Sequence, residues 1–321
     1  MSNGPGRGQS LCRRPAPGQA EHDSARVIRS GKALPTRHRS GPAREHLAAA
    51  GRDTQAAPKA AAALPSSFQW SSTGPLLAPK PDAAHPVVSV KDATVIQANG
   101  KWHVFMTTAN TSGAWSMAYT SFTDWSQAGS APLTYLDTNP NIGTRYAAAP
   151  QVFYFAPKGL WYLVYQTGPP SYSTSTDPGN PNNFRNSQLV LQDSKFALFE
   201  GDAVYRVQGT NTYLLMMEAI GSNGRRYYRS FTAQGLTGQW QPLAATEANP
   251  FARSNNVSFP SGAWTQDISH GELIRTGNDQ TMTINSCRLH FLYQGMNPSA
   301  DGDYSQFPWR LGLLTQTNNT C

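Results

Sequence analysis

From residue 64 onward the chain alternates apolar and polar residues in short runs that are rich in Val, Tyr, Phe, Trp and Thr. Runs with a period of two, bounded by turn residues, predict antiparallel β-strands. Asn99-Gly100 and Asn223-Gly224 stand between such runs and are typical of hairpin turns. No segment shows the pattern of a long amphipathic helix, so the predicted fold class of residues 64–321 is all-β. Examples of the strand pattern are Lys101-Trp-His-Val-Phe-Met106, Leu160-Trp-Tyr-Leu-Val-Tyr165 and Tyr213-Leu-Leu-Met-Met-Glu218.

The predicted strands also recur in units, each with a turn, an aromatic strand and a later strand rich in Ser, Thr and aromatic residues. Four-stranded units repeated along a chain are typical of a β-propeller. Each blade of a propeller places its first strand on the central axis, so residues at the starts of different units converge there. Asp92, Glu200 and His270 lie near the starts of units. The sequence therefore predicts a shared site at the axis.

The charge is concentrated in the first 63 residues, which contain 11 Lys and Arg against 4 Asp and Glu, whereas residues 64–321 contain 15 of each sign. The pI near 9.4 thus describes the extension and gives no support for nucleic-acid binding by the body. Residues 1–63 have no aromatic residue and are rich in Ala, Pro, Gly and Arg. This composition predicts a disordered extension, although it is also compatible with a targeting peptide. The predicted domains are this extension and a propeller domain over residues 64–321.

The cellular compartment is indicated only indirectly. No stretch approaches the ~18 apolar residues that a membrane span requires, and no apolar segment of a secretory signal follows the basic start. Three glycosylation sequons, at Asn110, Asn256 and Asn318, nevertheless favour a secreted protein. A disulfide between Cys287 and Cys321 is possible, but the sequence alone does not establish it.

Asp92 and Glu200 are the candidate catalytic residues. Cleavage of a glycosidic bond uses two carboxyl groups, one protonated and one ionised, on either side of the bond. Without further information Asp92 could also be an ordinary turn carboxylate, and Glu218 competes with Glu200. Glu200 is preferred because it opens its unit and should point to the axis, whereas Glu218, one strand later, should lie farther out.

The body resembles the α-L-arabinofuranosidases of glycoside hydrolase family 62 over essentially all of residues 64–321. The resemblance implies a five-bladed β-propeller that removes single arabinofuranosyl side groups from arabinoxylan with inversion. It further implies a monomer that needs no cofactor and binds neither nucleic acid nor membrane. The matching motifs include Val90-Lys-Asp92, Ser121-Phe-Thr-Asp-Trp125, Ala149-Pro-Gln-Val-Phe-Tyr-Phe-Ala156, Phe196-Ala-Leu-Phe-Glu200, Glu218-Ala-Ile-Gly221, Asp267-Ile-Ser-His-Gly-Glu272 and Pro308-Trp-Arg-Leu-Gly-Leu-Leu-Thr-Gln316.

The resemblance also implies roles for individual residues. Asp92 would be the general base that activates a water, and Glu200 the general acid that protonates the departing oxygen. An inverting pair of this kind stands about 6.5–9.5 Å apart. Lys91, beside the base, would contact the sugar and help to keep Asp92 ionised.

Three more positions have an implied role and an ordinary alternative. Gln151 and Tyr304 would shape the pocket, although Tyr304 could be a packed aromatic. His270 would lie on the axis, where the family commonly holds a structural calcium or a water network. A hydrogen-bonded core histidine is the alternative for His270.

The resemblance breaks near residues 186–188. The family has a further strand-rich stretch there, longer than one repeat unit of about 40–45 residues, and it carries a third carboxylate that tunes the acid. Here the polar segment Asp177–Gln188 stands in its place, as a skipped coding segment would leave it. Loss of a blade would expose sheet edges, so we predict a partly folded protein with little or no activity.

Two other functions remain open at this point. A non-catalytic carbohydrate-binding propeller would keep the aromatic surface without turnover, and loss of the middle block favours it. Retention of both Asp92 and Glu200 favours a hydrolase, because a binding module has no need of both. A relative that acts on β-xylosides or arabinan shares many of the same motifs.

Overall fold

The computed structural model describes residues 28–30, 63–167, 191–194 and 196–318. The predicted extension, residues 1–63, therefore lies outside the described residues except for residues 28–30 and 63. The polar segment 177–188 also lies outside them. Disorder of the extension stays a prediction.

The described residues contain strands, turns and short 3₁₀ helices but no α-helix, so the predicted all-β class is confirmed. The 3₁₀ helices are Trp125–Gln127, Leu136–Thr138, Ala156–Lys158, Ser254–Asn256 and Tyr304–Gln306. No helix in the described part of the chain has the length and apolar character that crossing a membrane requires. The strands are β1 (Ile28–Ser30), β2 (Trp70–Ser72), β3 (Val87–Ala98), β4 (Lys101–Asn110), β5 (Trp115–Phe122), β6 (Thr134–Tyr135), β7 (Ala148–Phe155), β8 (Leu160–Gln166), β9 (Glu200–Val207), β10 (Thr212–Ile220), β11 (Arg226–Gln234), β12 (Gln241–Pro242), β13 (Val257–Ser258), β14 (Ser269–Leu273), β15 (Thr283–Ile284), β16 (His290–Gly295) and β17 (Arg310–Gln316).

These strands form four sheets. We number the sheets in chain order by the strand of each that packs against the other sheets near the centre, and we call these innermost strands: β3, β7, β9 and β14. The first sheet has the order β3-β4-β5-β6, and the second has the order β1-β8-β7. The third has the order β12-β11-β10-β9-β15, and the fourth has the order β13-β2-β17-β16-β14. In the fourth sheet β2, from the start of the body, pairs antiparallel with β17, from its end. This pairing joins the two ends of the body in one sheet.

The innermost strands of the four sheets lie side by side. β3 packs against β7 and β14, and β14 packs against β9. This is the convergence that the repeat pattern predicted for residues at the starts of units. The described residues build four sheets, and a closed ring of five blades stays a prediction.

The hydrophobic core lies between the sheets. One cluster of buried residues joins the third and fourth sheets and includes Trp70, Phe251 and Phe291. A second cluster joins the first and fourth sheets and includes Met106 and Leu292. Burial of such side chains contributes roughly 1.5–3 kcal/mol each, which accounts for the face-to-face packing of the sheets.

The second and third sheets are separated by a cavity of about 240 Å³, lined among others by Phe153 of β7 and Val204 of β9. The segment that follows β14 reaches across this space. The Tyr154 amide donates to the Asn278 carbonyl at 2.6 Å. A few residues later, β15 pairs parallel with the end of β9. This segment therefore connects the second and third sheets.

Two features that bear on secretion have structural outcomes. Asn256 is buried, and its Nδ2 donates to the carbonyls of Phe68, Pro250 and Phe251. The asparagine of this sequon therefore has a structural role within the fold. Cys287 is disulfide-bonded. Cys321, the partner that the sequence offered, lies outside the described residues.

Candidate active site

Each innermost strand has an irregularity near its first residues, where the candidate site lies. In β3 the register shifts between Lys91 and Thr94, and Asp92 between them has the left-handed φ of 49°. β7 has the same shift around Ala149, which also has a φ of 49°. Bulges re-aim side chains next to functional sites, and a left-handed non-glycine residue persists only where its surroundings hold it. The register of β9 against β10 and of β14 against β16 also shifts.

Asp92 is buried and held by several partners. Its backbone amide donates to Gln294 Oε1 at 2.7 Å. Its Oδ2 lies 3.6 Å from Lys91 Nζ, and its Oδ1 lies 3.6 Å from His270 Nδ1. Burial alone would raise the pKa of Asp92, but Lys91, His270, a hydrogen bond from Thr107 and Arg226 together lower it. Asp92 is therefore a carboxylate that stays ionised in a buried position.

Lys91 lies against a wall of aromatic rings. Its ammonium is 3.4 Å from the centroid of the Trp115 ring and 5.2 Å from that of Tyr304. Trp115 in turn stacks on Tyr146, with centroids 5.9 Å apart. Cation–π contacts of this kind hold an ammonium in place without neutralising it. The charge of Lys91 thus remains available to Asp92.

Tyr146 and Tyr304 are close to both candidate catalytic carboxylates. The pKa of Tyr146 is raised to about 12 by burial and by the charges of Asp92 and Glu200. Burial also raises the pKa of Tyr304; Arg226 opposes this shift, and Glu200, Asp92 and Glu218 add to it. Lys91, next to Asp92, lies over the Tyr304 ring, and Arg226 bonds to both the Tyr304 hydroxyl and Glu200. The structure therefore brings Asp92 and Glu200 to the same site, although they are on different sheets.

Glu200 is the first residue of β9, and its side chain is 43% exposed. Arg226 Nη1 donates to Glu200 Oε1 at 2.8 Å and to Glu218 Oε1 at 3.0 Å. Glu200 and Glu218 are direct register partners on β9 and β10. Like charges opposite each other in a sheet repel, so the Arg226 guanidinium compensates both.

Glu218 is completely buried, whereas the sequence placed it farther out from the site. Besides Arg226, Ser269 Oγ donates to its Oε1 at 2.7 Å, and the His270 amide donates to its Oε2 at 3.0 Å. Burial raises the pKa of Glu218; Arg226 opposes this shift and Glu200 adds to it. All three partners are donors, which favours an ionised Glu218. With its oxygens occupied and no exposed surface, Glu218 has no route to a substrate.

Gln151, on β7, bonds to buried residues of the first and fourth sheets. Its Nε2 donates to Glu272 Oε1 at 2.9 Å and to Thr94 Oγ1 at 3.3 Å, and it lines the cavity between the second and third sheets. A role for Gln151 in the sugar pocket stays a prediction. Tyr304 lies at the site, where its hydroxyl accepts a hydrogen bond from Arg226 Nη2 at 3.3 Å.

His270 lies beside Asp92, and a calcium ion at this position stays a prediction. Within the described residues there is no group of three or more His, Cys, Asp and Glu side chains that could hold a metal. The carboxylates beside His270 are Asp92, 3.6 Å from its ring Nδ1, and Glu218, which accepts from its backbone amide.

Several residues at the site were not selected from the sequence, namely Arg226, Trp115, Tyr146 and Gln294. Arg226 carried the clearest available signal. It follows the Asn223-Gly224 turn, and hairpin pairing places it opposite Ile220, close to Glu218. The aromatic residues carried none, because Trp and Tyr occur throughout the strands of the body.

Comparison with known proteins connects this geometry to a family. The sequence profile of Glycosyl hydrolase family 62 matches residues 69–192 and 185–315. Alpha-L-arabinofuranosidase C of Cellvibrio japonicus (strain Ueda107) is 38% identical over 304 residues, which include 78% of this chain and 47% of that protein. The chain thus spans about half the length of that relative. The aligned stretch is longer than the part of this chain within it, so the relative has several tens of residues with no counterpart here.

Solved structures give the same result. The catalytic domain of a family 62 alpha-L-arabinofuranosidase from Coprinopsis cinerea is 46% identical, with a TM-score of 0.74, over 80% of this chain and 100% of that one. The alpha-L-arabinofuranosidase from Podospora anserina, in complex with cellotriose, is 39% identical, with a TM-score of 0.72, over 80% of this chain and 99% of that one. The two profile segments together cover most of the body, and their junction coincides with the predicted break near residues 186–188. The chain belongs to glycosyl hydrolase family 62.

Proposed function

We propose that this protein hydrolyses terminal α-L-arabinofuranosyl side groups of arabinoxylan with inversion at the anomeric carbon. The observation that carries the proposal is the pairing of a buried, ionised Asp92 with a half-exposed Glu200 around Tyr146 and Tyr304. The names of the similar proteins, which are alpha-L-arabinofuranosidases, support the bond that is cleaved.

Asp92 suits the general base. It would accept a proton from a water molecule that attacks the anomeric carbon, for which it must be ionised before the reaction. Lys91 and His270 favour the ionised form, since both lie 3.6 Å from its carboxylate oxygens. Gln294 holds the backbone of Asp92 in its left-handed conformation, which directs the carboxylate.

Glu200 is the proposed general acid, which would protonate the departing xylose oxygen. Its exposure allows it to regain a proton from solvent after each turnover. Its ion pair with Arg226 works against this return of the proton, because the pair requires an ionised carboxylate. Glu218 offsets part of that positive charge. We expect slow turnover, because the carboxylate that the resemblance implies for tuning the acid belongs to the stretch that this chain lacks near residues 186–188.

The substrate class follows from the site and its relatives. The structure of a family 62 hydrolase with 38% identity holds xylotriose, the linear sugar of the xylan backbone, and the Podospora anserina relative holds cellotriose. Here the wall of Trp115, Tyr146 and Tyr304 offers aromatic faces of the kind on which sugar rings stack. A polymeric substrate would place the protein outside the cell, and we expect it to act as a monomer.

Arabinose release from wheat arabinoxylan by the purified 321-residue protein, measured by anion-exchange chromatography, tests the proposal. We expect slow release that Asp92→Ala lowers by about 10²–10⁴-fold, because the base is lost. Proton NMR of the first product should show the inverted anomer. Binding to insoluble arabinoxylan without any release would overturn the proposal in favour of a carbohydrate-binding module. Cleavage of xylosides or arabinan alone would overturn the substrate class. The family relationship to hydrolases is the reason why the binding module is not favoured.

A further inference from the structure

We propose that Glu218 is a positioning residue that holds both candidate catalytic carboxylates, Asp92 and Glu200, in their working geometry. This inference rests on the proposed function. Glu218 is the buried point at which hydrogen bonds from the third and fourth sheets meet. From it, separate contacts lead to each of the two carboxylates.

The first connection runs to the backbone of Asp92. Glu218 Oε1 accepts from Ser269 Oγ at 2.7 Å, and Ser269 Oγ accepts from Gln294 Nε2 at 3.1 Å. Gln294 Oε1 then accepts the Asp92 amide at 2.7 Å. An amide side chain bonded at both ends is oriented unambiguously, so the carboxylate of Glu218 determines which end of Gln294 faces Asp92. The left-handed φ of Asp92 depends on that acceptor.

The second connection runs through His270. Its backbone amide donates to Glu218 Oε2 at 3.0 Å, and its ring Nδ1 lies 3.6 Å from Asp92 Oδ1. His270 belongs to the irregular start of β14, where the register shifts between Ser269 and Gly271. Glu218 therefore supplies the acceptor that this stretch of backbone lacks within its own sheet.

The third connection runs to Glu200 through Arg226. The Arg226 guanidinium bonds to both glutamates, and its Cζ lies 4.8 Å from the centroid of the Phe199 ring and 5.3 Å from that of Tyr304. The two rings and Glu218 together hold the guanidinium in the position where it bonds to Glu200. Glu218 also neutralises part of the charge that Arg226 directs at Glu200.

The ionisable groups that face Glu218 come from the third and fourth sheets and from the segment after β16. From the third sheet they are Glu200, Arg226 and Tyr228, and from the fourth sheet His270. Tyr304, in the segment after β16, also responds to the charge of Glu218. Arg226 is the cation that bonds to it directly, so removal of the charge of Glu218 leaves Arg226 to act on Glu200 alone.

Glu218→Gln tests the proposal, because glutamine preserves the shape and one acceptor oxygen but removes the charge. Glu247→Gln is the matched control: Glu247 is also on the third-sheet side and also pairs with an arginine, Arg253, but near the surface. Turnover of an aryl α-L-arabinofuranoside is measured from acid to alkaline pH. For Glu218→Gln we expect kcat to fall about 10²-fold, as for a small misplacement of catalytic groups, with little change in KM. The alkaline limb of the profile should move to lower pH, since an uncompensated cation beside an acid favours its ionised form.

A second measurement does not require turnover. In ¹H–¹⁵N spectra, Glu218→Gln should shift the Asp92 backbone amide and the Gln294 side-chain amide, although neither touches Glu218 directly. Ser269→Ala, which cuts only the first connection, should shift the same signals but leave the alkaline limb in place. It serves as the test of that connection if Glu218→Gln does not fold. Glu247→Gln should change neither signal.

The outcomes separate the two proposals. Absence of arabinose release from the parent protein overturns the proposed function, while the amide shifts still decide whether Glu218 positions Asp92. An active parent whose pH profile is unchanged by Glu218→Gln overturns the inference. Unchanged Asp92 and Gln294 signals in both Glu218→Gln and Ser269→Ala would overturn it as well.

Discussion

In the described part of the chain, two buried glutamate–arginine pairs lie near the innermost strands, and they differ in what their remaining bonds reach. Arg275 is paired with Glu272 at 3.1 Å, and both side chains are nearly inaccessible. Arg226 is paired with Glu218 at 3.0 Å, and its side chain is 11% exposed. The first pair lies in the interior and the second at the candidate active site.

The interior pair bonds to backbone and to neutral side chains, since Glu272 also accepts from Thr94 Oγ1 and Gln151 Nε2. Arg275 Nη2 donates to the carbonyls of Val95 and Val152, which belong to the first and second sheets. Glu272 accepts from the Val95 amide at 2.6 Å. This pair therefore connects the fourth sheet to two others.

The site pair bonds instead to groups that take part in the proposed chemistry. Arg226 reaches Glu200 and the Tyr304 hydroxyl, both of which are partly exposed. The same ionic pair thus joins sheets where its other partners are neutral groups, and controls charge where its arginine also reaches ionisable side chains. Two substitutions test this difference, and a third tests the charge beside Asp92; they follow from the largest expected effect to the smallest.

Arg275→Met should destabilise the protein most, by about 3–5 kcal/mol, because it leaves the Glu272 carboxylate buried without its cation. The unfolding free energy is measured with urea, monitored by tryptophan fluorescence. A loss of less than about 1 kcal/mol, the range of exposed ion pairs, would contradict the role of this pair in joining the sheets.

Arg226→Met should destabilise less than Arg275→Met, since Arg275 is the more buried arginine and also donates to backbone carbonyls of two other sheets. Its main effect should be on activity, a fall of about 10²-fold, because Glu200 loses its anchor. The alkaline limb of the pH profile should move to higher pH, the direction opposite to that of Glu218→Gln. A stability loss equal to that of Arg275→Met, with no change in the pH profile of activity, would show that the two pairs do not differ in role.

Lys91→Met should have the smallest effect, which is a shift of the acid limb of the pH–activity profile to higher pH. The pKa of Asp92 lies below its usual value of 3.8, because Lys91 and the other neighbours together outweigh burial. Removal of one cation raises that pKa, so activity should be lost at a higher pH on the acid side. A carboxylate whose pKa is lowered by folding stabilises the fold at pH values above its pKa in the unfolded chain. That stability is lost as the pH falls through its pKa in the folded protein. Acid unfolding should therefore also begin at a higher pH in the variant. An unchanged acid limb would show that Lys91 does not act on Asp92.

The sequence predicted much of the fold because period-two alternation is a local property. The strands around Lys101 and Leu160 and the hairpin turns at Asn99 and Asn223 could be placed without tertiary information. Asp92 and Glu200 could be selected for the same reason, since each lies near the start of a first strand. Their roles as base and acid stay a prediction.

The remainder of the site could not be predicted in the same way. Glu218 was expected farther out, because strand order was used to judge distance from the axis. Register and bulges decide that distance instead, and the shift near Glu218 places it opposite Glu200 and against His270. Arg226 gained its importance from the same register.

The sequence by itself determined the all-β class, the repeated units, the two candidate carboxylates and the place near residues 186–188 where the family match breaks. These are properties of neighbouring residues and of motif order, and they need no knowledge of contacts. Only the tertiary structure decided which charges surround each carboxylate: Lys91 and His270 around Asp92, and Arg226 between Glu200 and Glu218. Electrostatic environment depends on distances of a few ångströms between strands far apart in the chain, and packing sets those distances.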